Sequence, residues 1–265
     1  MRLPGKPLLD IAGKPLVVWV AERARAASSI SRTIVATDDP RIADAVSAAG
    51  FDAVITRADH LSGTDRVAEV AHNLSADIIV NVQGDEPLID PETINRAVNA
   101  LIEDSNAQIS TTCEPITEAA DVLNPSVVKV TLDGNGYATG FSRAPIPFPN
   151  QAVEEYGSLE AALRSPDASA LLSSFRKHTG LYAYRRDFLL KFARWPASES
   201  ETRDSLEQLR ALDHGVKVKV VEAASPSIGV DTPEDLERVR AILSEPPAVA
   251  GGQHFLPRGK SVSSA

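Results

Sequence analysis

The sequence predicts an α/β protein built on a mixed sheet, and three observations carry that prediction. Short β-branched runs, TIVAT (33–37), DAVI (52–55) and DIIVNV (77–82), alternate with stretches of helical composition, which is the pattern of successive β–α–β units. The run SVVKVTL (126–132) passes through DGNG into YATGFSR, a hairpin that brings an antiparallel pair into the sheet. Further strand-like runs follow at AQISTTCEP (107–115), HTGLYAYR (178–185) and VKVKVVEA (216–223).

The helices between these runs are read from spacing and caps. PETINRAVNALI places Ile94, Ala97, Val98, Leu101 and Ile102 at three-four spacing behind Asp90 as cap and Pro91 at the first position. From about 145 to 205 the pattern loosens into proline-rich and polar pieces around one strand, which reads as an inserted lobe. Leu206, Leu209 and Leu212 then mark another helix, and GVDTPEDLERVRAIL carries Thr232 as cap, Pro233 first and Asp235 third. One domain over 1–243 is expected. The segment 244–265, rich in Pro, Gly and Ser without a sustained period, is expected to be a mobile tail.

Composition narrows the function. The 265 residues are 43% hydrophobic and 24% charged, ordinary for a globular chain, and the formal net charge is −9. That balance argues against nucleic-acid and anionic-membrane surfaces, which call for clustered Lys and Arg. A single cysteine, Cys113, closes no intrachain disulfide, and no run is long enough to span a membrane, so a soluble cytoplasmic protein is expected.

In open α/β sheets ligands bind beyond the carboxyl ends of the strands. After DIIVNV comes QGDEP, where Gly84 admits close backbone approach and Asp85 and Glu86 offer hard oxygen donors suited to Mg²⁺. After the last strand comes GVDTPED, with Asp231 ahead of a helix; each alone reads more readily as a solvated turn or a cap, but two acidic strand ends in one sheet point to a metal site. Asp38-Asp39-Pro40 is read as a plain helix start. The opening RLPGKPL supplies the opposite charge: Gly5 exposes backbone N–H groups, and Arg2 and Lys6 can pair with phosphate oxygens. A basic turn with paired aspartates is what phosphoryl or nucleotidyl transfer requires. In TRADHLSGTDR, Ser62, Gly63, Thr64 and Arg66 precede a helix, a place for an anion or a base edge and equally for an ordinary N-cap. Arg143 in FSRAPIP, His178, Tyr182, Glu207 and Gln208 could surround a polyhydroxylated acid.

Taken together, RLPGKPL, ADHLSGTDR, VNVQGDEP, NPSVVKV, FSRAPIP, LYAYR, LEQLR and GVDTPEDLERVR, in that order from Arg2 to about Leu243, resemble the 3-deoxy-manno-octulosonate (Kdo) cytidylyltransferases, the CMP-Kdo synthetases. The resemblance implies a Rossmann-like, GT-A-like nucleotidyltransferase fold, a homodimer joined through the inserted lobe, and Mg²⁺-dependent transfer of CMP from CTP to an eight-carbon acid sugar for lipopolysaccharide synthesis. By the same resemblance Lys6 contacts the triphosphate and Asp85 and Asp231 hold the metal. Ser62, Gly63, Thr64 and Arg66 shape the cytosine site, Gln83 and Gly84 lie beside the nucleotide, and Arg143, His178, Tyr182, Glu207 and Gln208 bind the sugar acid.

The chain departs from the family's pattern in three places. The family begins with a central apolar strand ending in a Pro-Ala-Arg turn, whereas here RLPGKPL follows Met1 directly. The expectation is a sheet short of that strand, with unpaired N–H and C=O groups inside, poor folding and weak CTP binding. Gly140 stands where an aromatic is frequent, and Asp204 where Glu is usual. An active enzyme whose recorded start is too late and a catalytically dead remnant are the two readings of the first departure; 8-amino-Kdo is the alternative sugar.

Overall fold

The computed structural model describes residues 3–244, so Arg2 and the segment from Glu245 onward lie outside the described residues. The chain enters through a left-handed turn at Gly5 (φ 64°), which caps a single 3₁₀ turn over Lys6–Leu8. A side chain would strain that conformation, which is why the position needs glycine. Two short strands, β1 (Asp10–Ile11) and β2 (Lys14–Pro15), form an antiparallel pair that leads into α1 (Leu16–Ala26).

Strands and helices then alternate as β3 (Ile34–Thr37), α2 (Pro40–Ala48), β4 (Asp52–Ile55), α3 (Gly63–Ala71), β5 (Ile78–Asn81) and α4 (Pro91–Glu103). The caps are those the sequence announces. Asp39 accepts from the Arg41 N–H at the start of α2, Ser62 from Asp65 N–H at the start of α3, and Asp90 from Glu92 N–H at the start of α4. The chain continues through β6 (Ile109–Pro115), α5 (Ala119–Leu123), β7 (Lys129–Leu132) and β8 (Ala138–Ser142), with β7 and β8 forming the expected hairpin.

Three short helices follow, α6 (Asn150–Tyr156), α7 (Leu159–Ala162) and α8 (Ala168–Leu172). They share a small core with α5 in which Val122, Leu159, Leu163 and Phe175 are buried. Next comes β9 (Arg176–Arg185), the longest strand, and then α9 (Arg186–Phe192), α10 (Glu199–Asp204), α11 (Gln208–Asp213), β10 (Val218–Glu222) and α12 (Pro233–Ser244).

The main sheet is mixed, as the sequence predicts. β10 pairs in parallel with β6, and β6 pairs antiparallel with β9 along its whole length. β9 is the hub, since its first half meets β7 and its second half meets β5. The one strand within the 145–205 stretch is therefore central to the main sheet, and α6 to α8 form the separate cluster with α5. β6 is buried at every residue but its last, which explains why Ile109, Thr111 and Cys113 lack polar-apolar alternation.

β3 and β4 pair in parallel with each other and form a second, two-stranded sheet. Between β3 and β5 lies a cavity of about 640 Å³. No described helix is long and apolar enough to cross a membrane.

Candidate functional site

The polar cluster lies where the carboxyl ends of the strands and the opening turn meet. Lys6 leaves the Gly5 turn and places its Nζ 2.7 Å from Asp85 Oδ2 and 2.9 Å from Asp231 Oδ1. Burial alone lowers the affinity of the Lys6 ammonium for its proton, but the two carboxylate hydrogen bonds outweigh it and hold the pKa above the usual lysine value. Residues distant by 79 and 225 positions in sequence thus converge on one point.

The convergence is built from main chain. Asp85 lies in the turn after β5, and its carbonyl accepts from the Val230 N–H at 2.9 Å, locking that turn to the residue before Asp231. Asp231 precedes α12, where Asp235 accepts from the Asp231 and Thr232 N–H groups while Thr232 Oγ1 accepts from the Asp235 N–H. This is the reciprocal cap that TPED announces.

Glu86 is turned away from Lys6. It accepts from Ser227 Oγ, and its carboxyl is raised above the usual range, by burial first and by the charges of Asp85 and Glu114. Gly229 packs close against it: a Cβ there would lie 3.3 Å from Glu86 Oε1. Of the two acidic residues in QGDEP, Asp85 therefore faces the cluster while Glu86 fastens the turn to the segment after β10. Gly84 is exposed at the turn, and the Gln83 amide donates weakly to the Gly180 carbonyl at 3.4 Å.

A second cluster joins residues the sequence assigns to two different ligands. Ser62 Oγ donates to Glu207 Oε1 at 3.0 Å, and Thr64 Oγ1 donates to Glu207 Oε2 at 2.5 Å. Burial raises the Glu207 carboxyl above its ordinary value, against those two hydroxyl donors and the Arg210 charge. Arg210, itself buried, reaches Glu207 at 3.2 Å and forks onto both oxygens of Glu201 at 2.7 and 2.8 Å. Gln208 is buried beside them in α11. Gly63 opens α3, and Arg66 on the same helix ties the ends of β3 and β4: it donates to Thr56 Oγ1 and the Arg57 carbonyl and faces Asp38 at 3.3 Å.

His178 and Tyr182 lie on β9 in an aromatic row from Phe141 through His178 and Tyr182 to Tyr184. Thr111 Oγ1 donates to the Leu181 carbonyl at 2.7 Å, so the 2.9 Å contact with His178 Nε2 assigns the ring proton to Nε2. Burial pushes the His178 pKa down to about 3, keeping the ring neutral. The Arg143 guanidinium donates to the carbonyls of Asp204, Pro125 and Ser205. Its own carbonyl accepts from Lys129 Nζ, which also holds the carbonyls of Asn124 and Val127.

The structure thus brings together Lys6, Asp85 and Asp231, and separately Ser62, Thr64 and Glu207. Sequence reasoning missed Ser227, Arg210 and Glu201, which position these groups. LEQLR and the preceding ESETRD helix hold a signal for the last two, since Arg210 and Glu201 are opposite charges on consecutive helices. Nothing in the sequence marks Ser227.

Three comparisons identify the family. A family model described as cytidylyltransferase matches residues 1–218. The 3-deoxy-manno-octulosonate cytidylyltransferase of Trichlorobacter lovleyi is 48% identical over 244 residues, covering 92% of this chain and 94% of that protein. The enzyme of the same name from Geobacter sulfurreducens is 50% identical over 238 residues, covering 90% and 92%. A solved structure of CMP:2-keto-3-deoxy-manno-octonic acid synthetase complexed with CTP superposes with a TM-score of 0.80 at 43% identity, covering 91% of this chain and 92% of that one. On this likeness the chain belongs to the cytidylyltransferase family and, within it, to the 3-deoxy-manno-octulosonate cytidylyltransferases.

Proposed function

We propose that the chain transfers CMP from CTP to 3-deoxy-manno-octulosonate, giving CMP-Kdo and pyrophosphate. The observation that carries this reading is the meeting of Lys6 with Asp85 and Asp231, in a chain about half identical to its relatives over nine-tenths of its length. In the reaction the anomeric hydroxyl of the sugar attacks the α-phosphorus in line, the bond to the departing pyrophosphate breaks, and the hydroxyl proton passes to solvent.

The donor set fits Mg²⁺. Asp85 and Asp231 are hard oxygen donors of the kind this ion prefers; here both engage the Lys6 ammonium, and with substrate phosphate oxygens they would hold the ion. When bound, it neutralises charge on the triphosphate and acidifies the attacking hydroxyl. Lys6, held fully charged, compensates the negative charge that collects on the leaving pyrophosphate. On this reading Ser62, Gly63, Thr64 and Arg66 shape the cytosine site, Gln83 and Gly84 lie beside the nucleotide, and Arg143, His178, Tyr182, Glu207 and Gln208 bind the sugar acid. The neutral His178 ring and the Tyr182 hydroxyl suit hydroxyl partners rather than a second charge. A homodimer joined through the 145–205 stretch completes the reading, and a cytoplasmic location supplies both substrates.

Pyrophosphate release, measured for CTP against the other nucleoside triphosphates and for Kdo against 8-amino-Kdo and sialic acid, tests the proposal. Turnover confined to CTP with Kdo is expected. Preference for 8-amino-Kdo would change the substrate, and no turnover with any pair would leave only a binding protein.

A further inference from the structure

The pairing of β6 with β9 breaks at one point. Thr111 lies opposite Tyr182 and Thr112 opposite Thr179, so Gly180 and Leu181 on β9 have no opposite residue on β6. A bulge of this kind re-aims the side chains beside it. The Thr111 side chain, fully buried, stitches across the gap: its Oγ1 lies 2.7 Å from the Leu181 carbonyl, 3.4 Å from the Thr179 carbonyl and 2.9 Å from His178 Nε2.

These contacts leave one protonation pattern. A threonine hydroxyl has a single proton and both carbonyls can only accept, so Oγ1 donates to Leu181 and has only lone pairs left for the imidazole. Nε2 then carries the ring proton. Burial lowers the ring's pKa to about 3, so the ring is neutral and Nδ1 is a bare acceptor. Among the described residues no group hydrogen-bonds Nδ1, and the one side-chain polar atom that is both fully buried and unpartnered is Thr33 Oγ1, so Nδ1 reaches the open side of the sheet. Turning the ring to exchange its two nitrogens would break the Thr111 bond and disturb the edge contact with Phe141.

We propose that Thr111 is a positioning residue for acid-sugar recognition: it fixes the proton of His178 on Nε2 and so presents Nδ1 as an acceptor that takes a hydroxyl of the sugar and repels its carboxylate. A carboxylate has only lone pairs to offer, whereas a hydroxyl can donate, so the tautomer decides which end of the sugar faces β9. The inference rests on the proposed function in placing the sugar against His178.

Nitrogen-15 NMR of the histidine-labelled, 265-residue protein reads the tautomer directly, with the His178 signal identified by its loss in His178→Gln. A neutral Nε2–H ring is expected in the parent and in Thr111→Ser, which keeps the hydroxyl. Thr111→Val keeps the shape and deletes the hydroxyl, and there the Nδ1–H form should appear. In pyrophosphate-release assays Thr111→Val should raise KM for Kdo roughly tenfold, with kcat and KM for CTP within about twofold of the parent, the signature of lost binding to one substrate; Thr111→Ser should restore the parent values. An Nδ1–H or doubly protonated ring in the parent, or a changed tautomer in Thr111→Ser, overturns the proposal, and neither measurement needs Thr111→Val to fold. So does a Thr111→Val enzyme that keeps the parent's KM for Kdo, and so does an equal rise in KM for CTP, which would mark Thr111 as a packing residue alone. A parent that turns over no acid sugar overturns the recognition role together with the proposed function, and the tautomer, read without substrate, shows whether the Thr111 bond itself is at fault.

Discussion

The two polar clusters are built in opposite ways. Around Lys6 the charges stand near water, with Asp231 81% exposed and Asp85 32% exposed, and main-chain bonds and caps hold them. Around Glu207 the carboxylate is a quarter exposed, faces a buried arginine, and is itself the link that holds Ser62 and Thr64 against α11. The first cluster can lose a side chain without disturbing its neighbours, because the scaffold does not depend on that side chain. The second cannot, because its side chains are the scaffold.

The sharpest way to break this contrast is at the exposed cluster. Asp85→Ala and Asp231→Ala should each lower Mg²⁺-dependent pyrophosphate release by about 10² to 10³-fold or more, the usual effect of removing a group that stabilises developing charge. Thermal melts of both variants should stay close to the parent, since the Val230–Asp85 backbone bond and the Asp235 cap remain. Near-normal turnover in either variant would remove that aspartate from the proposed metal site. A collapsed melt with lost activity would show that the cluster is structural after all.

Glu207 gives the next largest effect, and on stability rather than on chemistry alone. Glu207→Ala strands two hydroxyls and part of the Arg210 guanidinium, and a cost of about 1–3 kcal/mol is expected. Glu207→Gln keeps the shape and one carbonyl acceptor and should recover much of it. Equal destabilisation by the two variants in denaturant melts would mean that charge, not hydrogen bonding, holds α3 to α11.

How far these clusters were legible in the sequence follows the same division. RLPGKPL, QGDEP and GVDTPED each announce their local geometry, and Asp39, Ser62, Asp90 and Thr232 cap where their neighbours say they should. The link from Ser62 to Glu207 spans 145 residues and two separate segments, and only the tertiary fold brings them together. Arg143 looks free in FSRAPIP, yet three backbone carbonyls take up its guanidinium. α1 gave no capping signal: Pro15 stands at its cap position with no side-chain acceptor, and Leu-Val-Val-Trp-Val has strand-like composition. Packing decides it, since Leu16, Val17, Val20 and Ala24 are divided among three separate cores.

The last comparison is a pair of opposed pH dependences. His178 has its folded pKa lowered from 6.5 to about 3, so the unfolded chain binds more protons between those values, and the stability it contributes falls as pH drops through that window. Glu207 has its folded pKa raised above its ordinary 4.5, so the folded chain binds the extra proton just above that value, and the stability it contributes falls as pH rises there. His178→Phe should therefore flatten the loss of Tm as pH falls from 6.5, whereas Glu207→Gln should remove an opposing decline as pH rises just above 4.5. If both substitutions changed the curve in the same direction, the two buried groups would be titrating as one unit through the aromatic row and Tyr184 between them, and the division between clusters would extend into the core as a single coupled network.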